Sequence, residues 1–551
     1  MRVGLGCLRF PAEDDATIRA AFDGGVRLFD TARAYPGSEE QLARTLGPVQ
    51  AECFVVTKCG MKREGSGWMA DGRATAILED ARASNAALGR VPDLLLLHAP
   101  DHRVPLATSV RALVRAKEEG LARAIGLSNV NRRQLDEAAA ITAIEGVEVA
   151  LGAYDDEAAR GGIVAWCAAN GSRLLAHSPL GGPKRAPKLA GDPALRAVAK
   201  RHDVAPAVIV VAYLLAVHPT ITPLVGASRP ESIVRALRSE SITLSDSDLE
   251  ILDARFPSLA AIRRPPVRAP LDASREVVIL MGIAGAGKSR LAESYVARGY
   301  ERLNRDTLGG TLRGIAKRLD ELLAKKTSRV VLDNTYVTRA SRADVVRIAS
   351  AHGAAVRCIH VDTPLPDAQV NVVRRMLDRY GELLGGDALK KRAKTDPNAL
   401  APTALFRMAR ELELPAEDEG FAAVETLAFV REEPADLRPG VAVPFEIAKR
   451  TDVLSYLPPD TPLLVFAWRP PADAPRVVDE IAARLGREID YVACTHGEGP
   501  PVCWCRPPLP GAWVWFAKKR GVGREGSVIV ASTPAHRQLA ATVGVRTMDV
   551  R

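Results

Sequence analysis

One stretch, VVILMGIAGAGKS from Val277 to Ser289, constrains this chain more than any other. An apolar run the length of a buried strand leads straight into Gly282-x-x-x-x-Gly287-Lys288-Ser289. Glycines at 282, 285 and 287 free the backbone so that its N–H groups can wrap phosphate oxygens. Lys288 is then placed to reach the outer phosphates of ATP, and Ser289 to ligate Mg2+. The motif needs a strand before it and a helix after it, so the middle of the chain is predicted to be a P-loop NTPase-type parallel sheet.

At 551 residues the chain is long enough for two to four domains. It is 47% hydrophobic and 26% charged, a balance that excludes disordered and fibrous classes. The net charge of +9, from 75 basic and 66 acidic residues, is compatible with a nucleic-acid partner and by itself decides nothing. No apolar run approaches the roughly 20 residues of a membrane helix. The eight cysteines are scattered except for three near the end. A cytoplasmic protein with reduced thiols, without a signal peptide and without a membrane partner, is expected. The sequence assigns no oligomeric state.

Before the P-loop, eight strand-like runs alternate with amphipathic helical stretches: VGLG, GVRLFD, FVVTK, DLLLLH, ARAIGLS, VEVAL, SRLLAHS and TPLVGAS. That alternation predicts an α/β fold, a (β/α)8 TIM barrel over residues 1–262, with its chemistry at the carboxyl ends of the strands. Asp30, Lys58, His98, Ser128, Asn129, Ser178, Ser228 and Arg229 all fall at those ends. A proline-rich linker is predicted at 263–275.

The strings FDTARAYPGSE, VVTKCG, DLLLLHAPD, GLARAIGLSN, HSPLGG and GASRPES resemble the aldo-keto reductases. The resemblance implies a catalytic tetrad of Asp30, Tyr35, Lys58 and His98 acting on a carbonyl. Tyr35 would donate the proton, Lys58 would lower its pKa, Asp30 would hold Lys58, and His98 would orient the carbonyl oxygen. It also implies NADPH, with Ser128 and Asn129 on the carboxamide, Ser178 and Leu180 along the cofactor, and Ser228 and Arg229 on the adenosine-side phosphate. The chain departs from the family at Leu151, about where a glutamine is usual, and at His177, where an aromatic ring is common. A barrel retired to a scaffold is the bland alternative.

After the P-loop, GYERLNRDTLGG, RVVLDNTYVTRASRADVV, VDTPLPDAQVNVVRRM and PAEDEGFAAVE resemble the kinase domain of polynucleotide kinases, over 276–435. The resemblance implies Asp306 as the base that deprotonates a 5′-hydroxyl, on RNA or DNA. It implies Asp333 at the magnesium or Walker region, and Arg342, Arg374 and Arg375 in the grip on ATP. Val373 stands where the family commonly has an arginine. Asp306 as a helix cap and the arginines as a solvated face stay open. So does a small sugar or polyol as the acceptor.

The last part, 436–551, holds CTHGEGPPVCWC. Cys494, His496, Cys503 and Cys505 form a soft tetrahedral donor set that calls for a closed structural Zn2+. This unit resembles the zinc-clipped phosphatases of the haloacid dehalogenase superfamily, hence a small α/β domain. The Asp-x-Asp nucleophile is absent and the lysine of CRKP is lost in CRPP. A catalytically inactive phosphatase-like domain is the expectation. Its WCRPPLPGAWVWFAKKR segment reads either as a core strand or as a stacking platform for nucleic acid. Together these imply a repair-type enzyme, a 5′-hydroxyl polynucleotide kinase joined to a carbonyl reductase. The alternative is a metabolic reductase and small-molecule kinase.

Overall fold

The computed structural model describes residues 2–8, 15–65, 67–271, 274–325, 329–450, 454 and 457–550. Met1 and the Asp272 and Ala273 part of the expected linker lie outside the described residues. The chain forms two compact units, 1–267 with 339–347, and 268–338 with 348–551.

The first unit holds a closed barrel. Its strands are Gly4–Gly6, Leu28–Asp30, Phe54–Cys59, Leu94–Leu97, Ala124–Ser128, Gly146–Ala150, Arg173–His177 and Ile221–Gly226. Each pairs in parallel with the next, and the last closes on the first. These are the eight apolar runs of the sequence. They are near-continuous in hydrophobicity because helices cover the outer face while Leu28, Val56, Leu94, Leu96, Leu175 and Leu224 fill the interior. A short antiparallel hairpin, Met61–Glu64 with Gly67–Ala70, follows the third strand. Its alternation is too brief to stand out in the sequence.

The second unit holds two parallel five-stranded sheets. In the first, the spatial order is Glu301–Leu303, Arg329–Asp333, Glu276–Met281, Ala355–Asp362 and Ala423–Ala428, so the strand before the P-loop is central. In the second it is Asp490–Cys494, Leu463–Trp468, Val441–Pro444, Val528–Ala531 and Arg546–Asp549. The two sheets share one apolar core. Val372, Val373 and Met376 of the helix Leu365–Tyr380 cluster with Trp513 and Phe516 of the helix Gly511–Arg520 and with Leu539 and Val543 of the helix Pro534–Val543.

The aromatic-cationic segment corrects one expectation. It forms a helix, Gly511–Arg520, not a strand, and Trp504, Trp513 and Phe516 are buried in the shared core. A buried aromatic of this size removes about 150–250 Å² from water. That is a core contribution, and it leaves these rings unable to stack on bases. Among the described residues no helix is long and apolar enough to cross a membrane. All eight cysteines are free.

Candidate functional site

In the barrel, Lys58 near the end of its strand is 1% exposed, and its Nζ lies 2.5 Å from Asp30 Oδ1 on the neighbouring strand. It also donates to the Thr31 carbonyl at 3.1 Å. Its second carboxylate partner was missed in the sequence: Glu148 Oε2, 3.2 Å away and 3% exposed. Glu148 points inward from the strand Gly146–Ala150, paired in register with Ser128. Leu151, the position singled out in the sequence, lies just past this strand and is buried in the apolar core. The period-two alternation of a strand carries the signal, because Glu148 is the one charged residue among inward neighbours.

Tyr35 sits on the loop after the second strand, its ring centre 5.3 Å from Lys58 Nζ and 5.6 Å from the His98 ring. Burial raises the phenol to about 12, and the opposing Lys58 charge does not overcome it. This corrects the expected lowering. The consequence is a phenol that stays protonated and ready to donate. Burial first, then the charges on Lys58 and His177, bring His98 down to about 3, so it is a neutral hydrogen-bonding group. His98 Nδ1 is buried with no hydrogen-bond partner among the described residues. Trp68, 48% exposed on the hairpin, stands 6.1 Å from Tyr35 and 6.2 Å from His98 and walls the mouth. It too went unnoticed in the sequence.

Around them, Asn129 takes φ 55° and donates to the His98 carbonyl at 2.9 Å and to Ser128 Oγ at 3.1 Å. His177 Nε2 lies 3.3 Å from Asn129 Oδ1, and its Nδ1 lies 3.2 Å from Ser178 Oγ. Ser178 shares the unusual backbone, with φ 52°, and Leu180 packs partly buried nearby. Ser228 and Arg229 are exposed just before the helix Pro230–Leu237. This donor set fits a nicotinamide cofactor, with an amide-binding pair at Ser128 and Asn129 and a cation at a helix N-terminus for phosphate.

In the second unit, Gly282, Gly285 and Gly287 have φ of 147°, 82° and 94°. A Cβ on Gly285 would lie 2.5 Å from the Ala368 carbonyl oxygen, so only glycine fits there. Lys288 folds over this loop and donates to the Gly282 and Ile283 carbonyls at 3.0 and 2.9 Å. Burial, and less so Arg375, brings its ammonium down to about 8 against the pull of Asp333 and Asp306. Ser289 is exposed beside it. Asp333 is 2% exposed, bonded to Arg302 and held by Asn304 Nδ2 at 3.0 Å.

Asn304 also settles the capping question. Its side chain accepts from the Asp306 and Thr307 N–H groups at 2.7 and 3.2 Å, so the cap of the helix Arg305–Leu308 is Asn304. Asp306 is left exposed, within electrostatic reach of Lys288 and Arg375. Arg374 is not part of that cluster. It lines a small cleft with Arg431, Trp513 and Arg524, 3.9 Å from Glu433. Val373 is buried in the core, on the side of the helix away from solvent. Arg342 is fully buried in the helix Arg339–Ala351, within the stretch grouped with the first unit.

The ligand atoms of Cys494, His496, Cys503 and Cys505 lie within 4.8 Å of one another. Cys494 Sγ is 3.6 Å from Cys503 Sγ and 3.5 Å from His496 Nδ1, and Cys505 Sγ is 3.7 Å from that nitrogen. Thiolates about 2.3 Å from a tetrahedral zinc stand about 3.8 Å apart, so the set fits the ion.

Residues 4–255 match the aldo/keto reductase family, and residues 277–390 match an AAA domain. An aldo-keto reductase of Mycolicibacterium vanbaalenii is 30% identical over 262 residues, 46% of this chain and 86% of that protein. A bifunctional polynucleotide phosphatase/kinase of Schizosaccharomyces pombe is 32% identical over 156 residues, 28% of this chain; the chain spans only 34% of that protein's length. Among solved structures, a Klebsiella pneumoniae aldo-keto reductase in complex with NADPH aligns over 46% of this chain and 91% of its own, at 22% identity and a TM-score of 0.41. Over its first half the chain belongs to the aldo-keto reductase family, and behind that enzyme domain it carries a kinase-like P-loop domain.

Proposed function

We propose that the chain heals damaged nucleic-acid ends: its P-loop domain transfers the γ-phosphate of ATP to a 5′-hydroxyl, and its barrel reduces a carbonyl with NADPH. The observation that carries the kinase reading is Asp306. Its structural job is taken by Asn304, yet its charge lies within electrostatic reach of Lys288 and Arg375. A free carboxylate there suits a base that accepts the proton of an attacking hydroxyl. Lys288 and Arg375 would offset charge on the transferred phosphoryl group, with Ser289 and Asp333 supporting Mg2+. The similarity to the phosphatase/kinase supports a polynucleotide acceptor.

For the reductase, NADPH when bound supplies the hydride. Ser128, Asn129, Ser178, Leu180, Ser228 and Arg229 would hold it. Tyr35 delivers the proton to the carbonyl oxygen, His98 orients that oxygen as a neutral donor, and Trp68 screens the mouth from water. An aldehyde on a damaged sugar is the carbonyl that would give both sites a common substrate. The domains assigned are 1–262, 276–435 and 436–551. In the last, Zn2+ on Cys494, His496, Cys503 and Cys505 is structural. Pro444 and Glu446 at the end of the strand Val441–Pro444 supply no Asp-x-Asp nucleophile, which fits an inactive phosphatase-like unit.

The test is transfer of labelled γ-phosphate from ATP to short 5′-hydroxyl RNA and DNA, with wild type and Asp306→Ala. Label on either strand, lost in the variant, is the expected result. ATP binding without transfer to either strand would overturn it and favour a sugar or polyol acceptor.

A further inference from the structure

A catalytic lysine in a closed barrel needs one counter-charge, and this one has two. Asp30 and Glu148 flank Lys58 from the strands Leu28–Asp30 and Gly146–Ala150, and all three side chains are buried. Asp30 Oδ1 stands 2.5 Å and Glu148 Oε2 3.2 Å from Lys58 Nζ, so two buried carboxyl groups share one cation. One buried ammonium offsets one carboxylate, and a second carboxylate in the same dry pocket is costly, so the pair holds a proton. Asp30 has the shorter contact with Lys58, while Glu148 Oε2 is buried with no hydrogen-bond partner among the described residues, which makes Glu148 the protonated member. The resting cluster is therefore an ammonium, a carboxylate and a carboxylic acid, with no net charge.

Glu148 also lies beside the residues expected to hold the nicotinamide. It pairs in register with Ser128, and its backbone carbonyl accepts from the Asn129 N–H at 2.9 Å. We propose that Glu148 is the proton store of the reductase site, holding the proton that Lys58 and Tyr35 pass to substrate and releasing it as positive charge develops beside Ser128 and Asn129. The proposal rests on the NADPH reading above and names a residue that reading does not use.

The step balances. The carbonyl carbon receives the hydride with its two electrons, the C=O π bond breaks toward oxygen, and the cofactor is left one unit more positive. The oxygen takes the Tyr35 proton, Tyr35 is refilled from Lys58, and Lys58 from Glu148. Glu148 ends as a carboxylate, so the site's total charge is the same before and after. An amide at this position would leave the new positive charge uncompensated.

The groups that face Glu148 are Asp30, Lys58 and, further out, Tyr35. Burial works against the Lys58 ammonium, but the charges of Asp30 and Glu148 outweigh it and keep Lys58 protonated well above its ordinary value. His98 and His177 are brought down to about 3 and about 4, and the Cys7 thiol is pushed up by burial. None of them changes charge near neutrality. Burial and the Asp30 charge raise Glu148 to about 8, which leaves it as the group that titrates.

The experiment measures NADP+ and NADPH binding from pH 6 to 9, with proton release followed by an indicator dye, for wild type and Glu148→Gln. The two cofactors carry the same phosphates, so their difference isolates the ring charge. The expected result is about one proton released per NADP+ bound to wild type at pH 7, and none attributable to the ring with NADPH. The NADP+ preference should rise up to tenfold per pH unit and level off above pH 8, and Glu148→Gln should be flat. Equal proton release for both cofactors in wild type overturns the proposal whatever the variant does, as does a Glu148→Gln profile that matches wild type. Failure to bind either cofactor overturns the NADPH reading itself, and the proposal with it.

Discussion

The barrel site and the P-loop site solve opposite problems. In the barrel, the reacting groups are buried and already paired: Lys58 lies between Asp30 and Glu148, and Tyr35 and His98 are desolvated beside it. At the P-loop, Lys288 and Asp333 are buried, while Asp306 and Ser289 stand exposed. A carbonyl is small and neutral, so its polarity must be met by charges fixed in advance inside a low-dielectric interior. A triphosphate brings its own charge and fills an open cradle. The difference teaches that chemistry and stability are entangled at the first site and separable at the second.

The sharpest way to break this contrast is Asp306→Ala. Phosphoryl transfer is expected to fall about 10²–10⁴-fold, while thermal stability stays within about 0.5 kcal/mol because the side chain is exposed. A large loss of stability in calorimetry would show that the P-loop site is as integrated as the barrel. Lys58→Met is the counterpart. Removing the ammonium leaves two buried carboxyl groups without their cation, and unfolding stability is expected to drop by about 3–5 kcal/mol along with loss of reduction. A fully stable, inactive Lys58→Met would remove the distinction from the other side.

Between those extremes lies the cluster of Cys494, His496, Cys503 and Cys505. Gly385, just past the helix that carries Arg375, is bridged to Cys503, and a Cβ on it would lie 2.6 Å from the His496 ring. Gly385→Ala is expected to cost about 1–3 kcal/mol by overpacking. Stripping the proposed Zn2+ with a chelator should raise hydrogen exchange at residues 381–393 and weaken ATP use, with carbonyl reduction unchanged. Unchanged exchange there would mean that the cluster only closes its own loop.

The contrast is sharpened last by a pH dependence of stability. Glu148 has a folded pKa raised to about 8 by burial and Asp30, above the ordinary carboxylate range. Its contribution is fully present below the unfolded pKa and is lost as pH rises to about 8. The stability difference, wild type minus Glu148→Gln, should therefore decline from pH 4.5 to 8 and then stay flat. A difference that grows over that range would contradict a buried neutral acid.

Legibility followed the range of the physics. All eight barrel strands were visible as apolar runs, because a strand covered on both faces must be apolar along its length. The P-loop was visible because its glycines answer to backbone torsion, and the Cys/His cluster because its members are close in sequence. Glu148 was overlooked, since the alternation that marks it spans one five-residue strand and the lysine that explains it lies far away in the sequence. The helix Gly511–Arg520 was misread because cations among aromatics look exposed when the partner surface is out of sight.

The sequence by itself determined the order of strands and helices, the phosphate loop, and the residue types gathered at the ends of the barrel strands. Those depend on torsion and on apolar patterning within a few residues. Only the tertiary structure decided that Lys58 has two carboxyl partners, that burial outweighs the Lys58 charge on Tyr35, that Asn304 frees Asp306 from capping, and that the Cys/His cluster abuts Gly385 at the start of the helix Gly386–Ala393. Those depend on which distant surfaces are brought together and how much water they exclude, and desolvation is a property of the closed fold that no single stretch of chain contains.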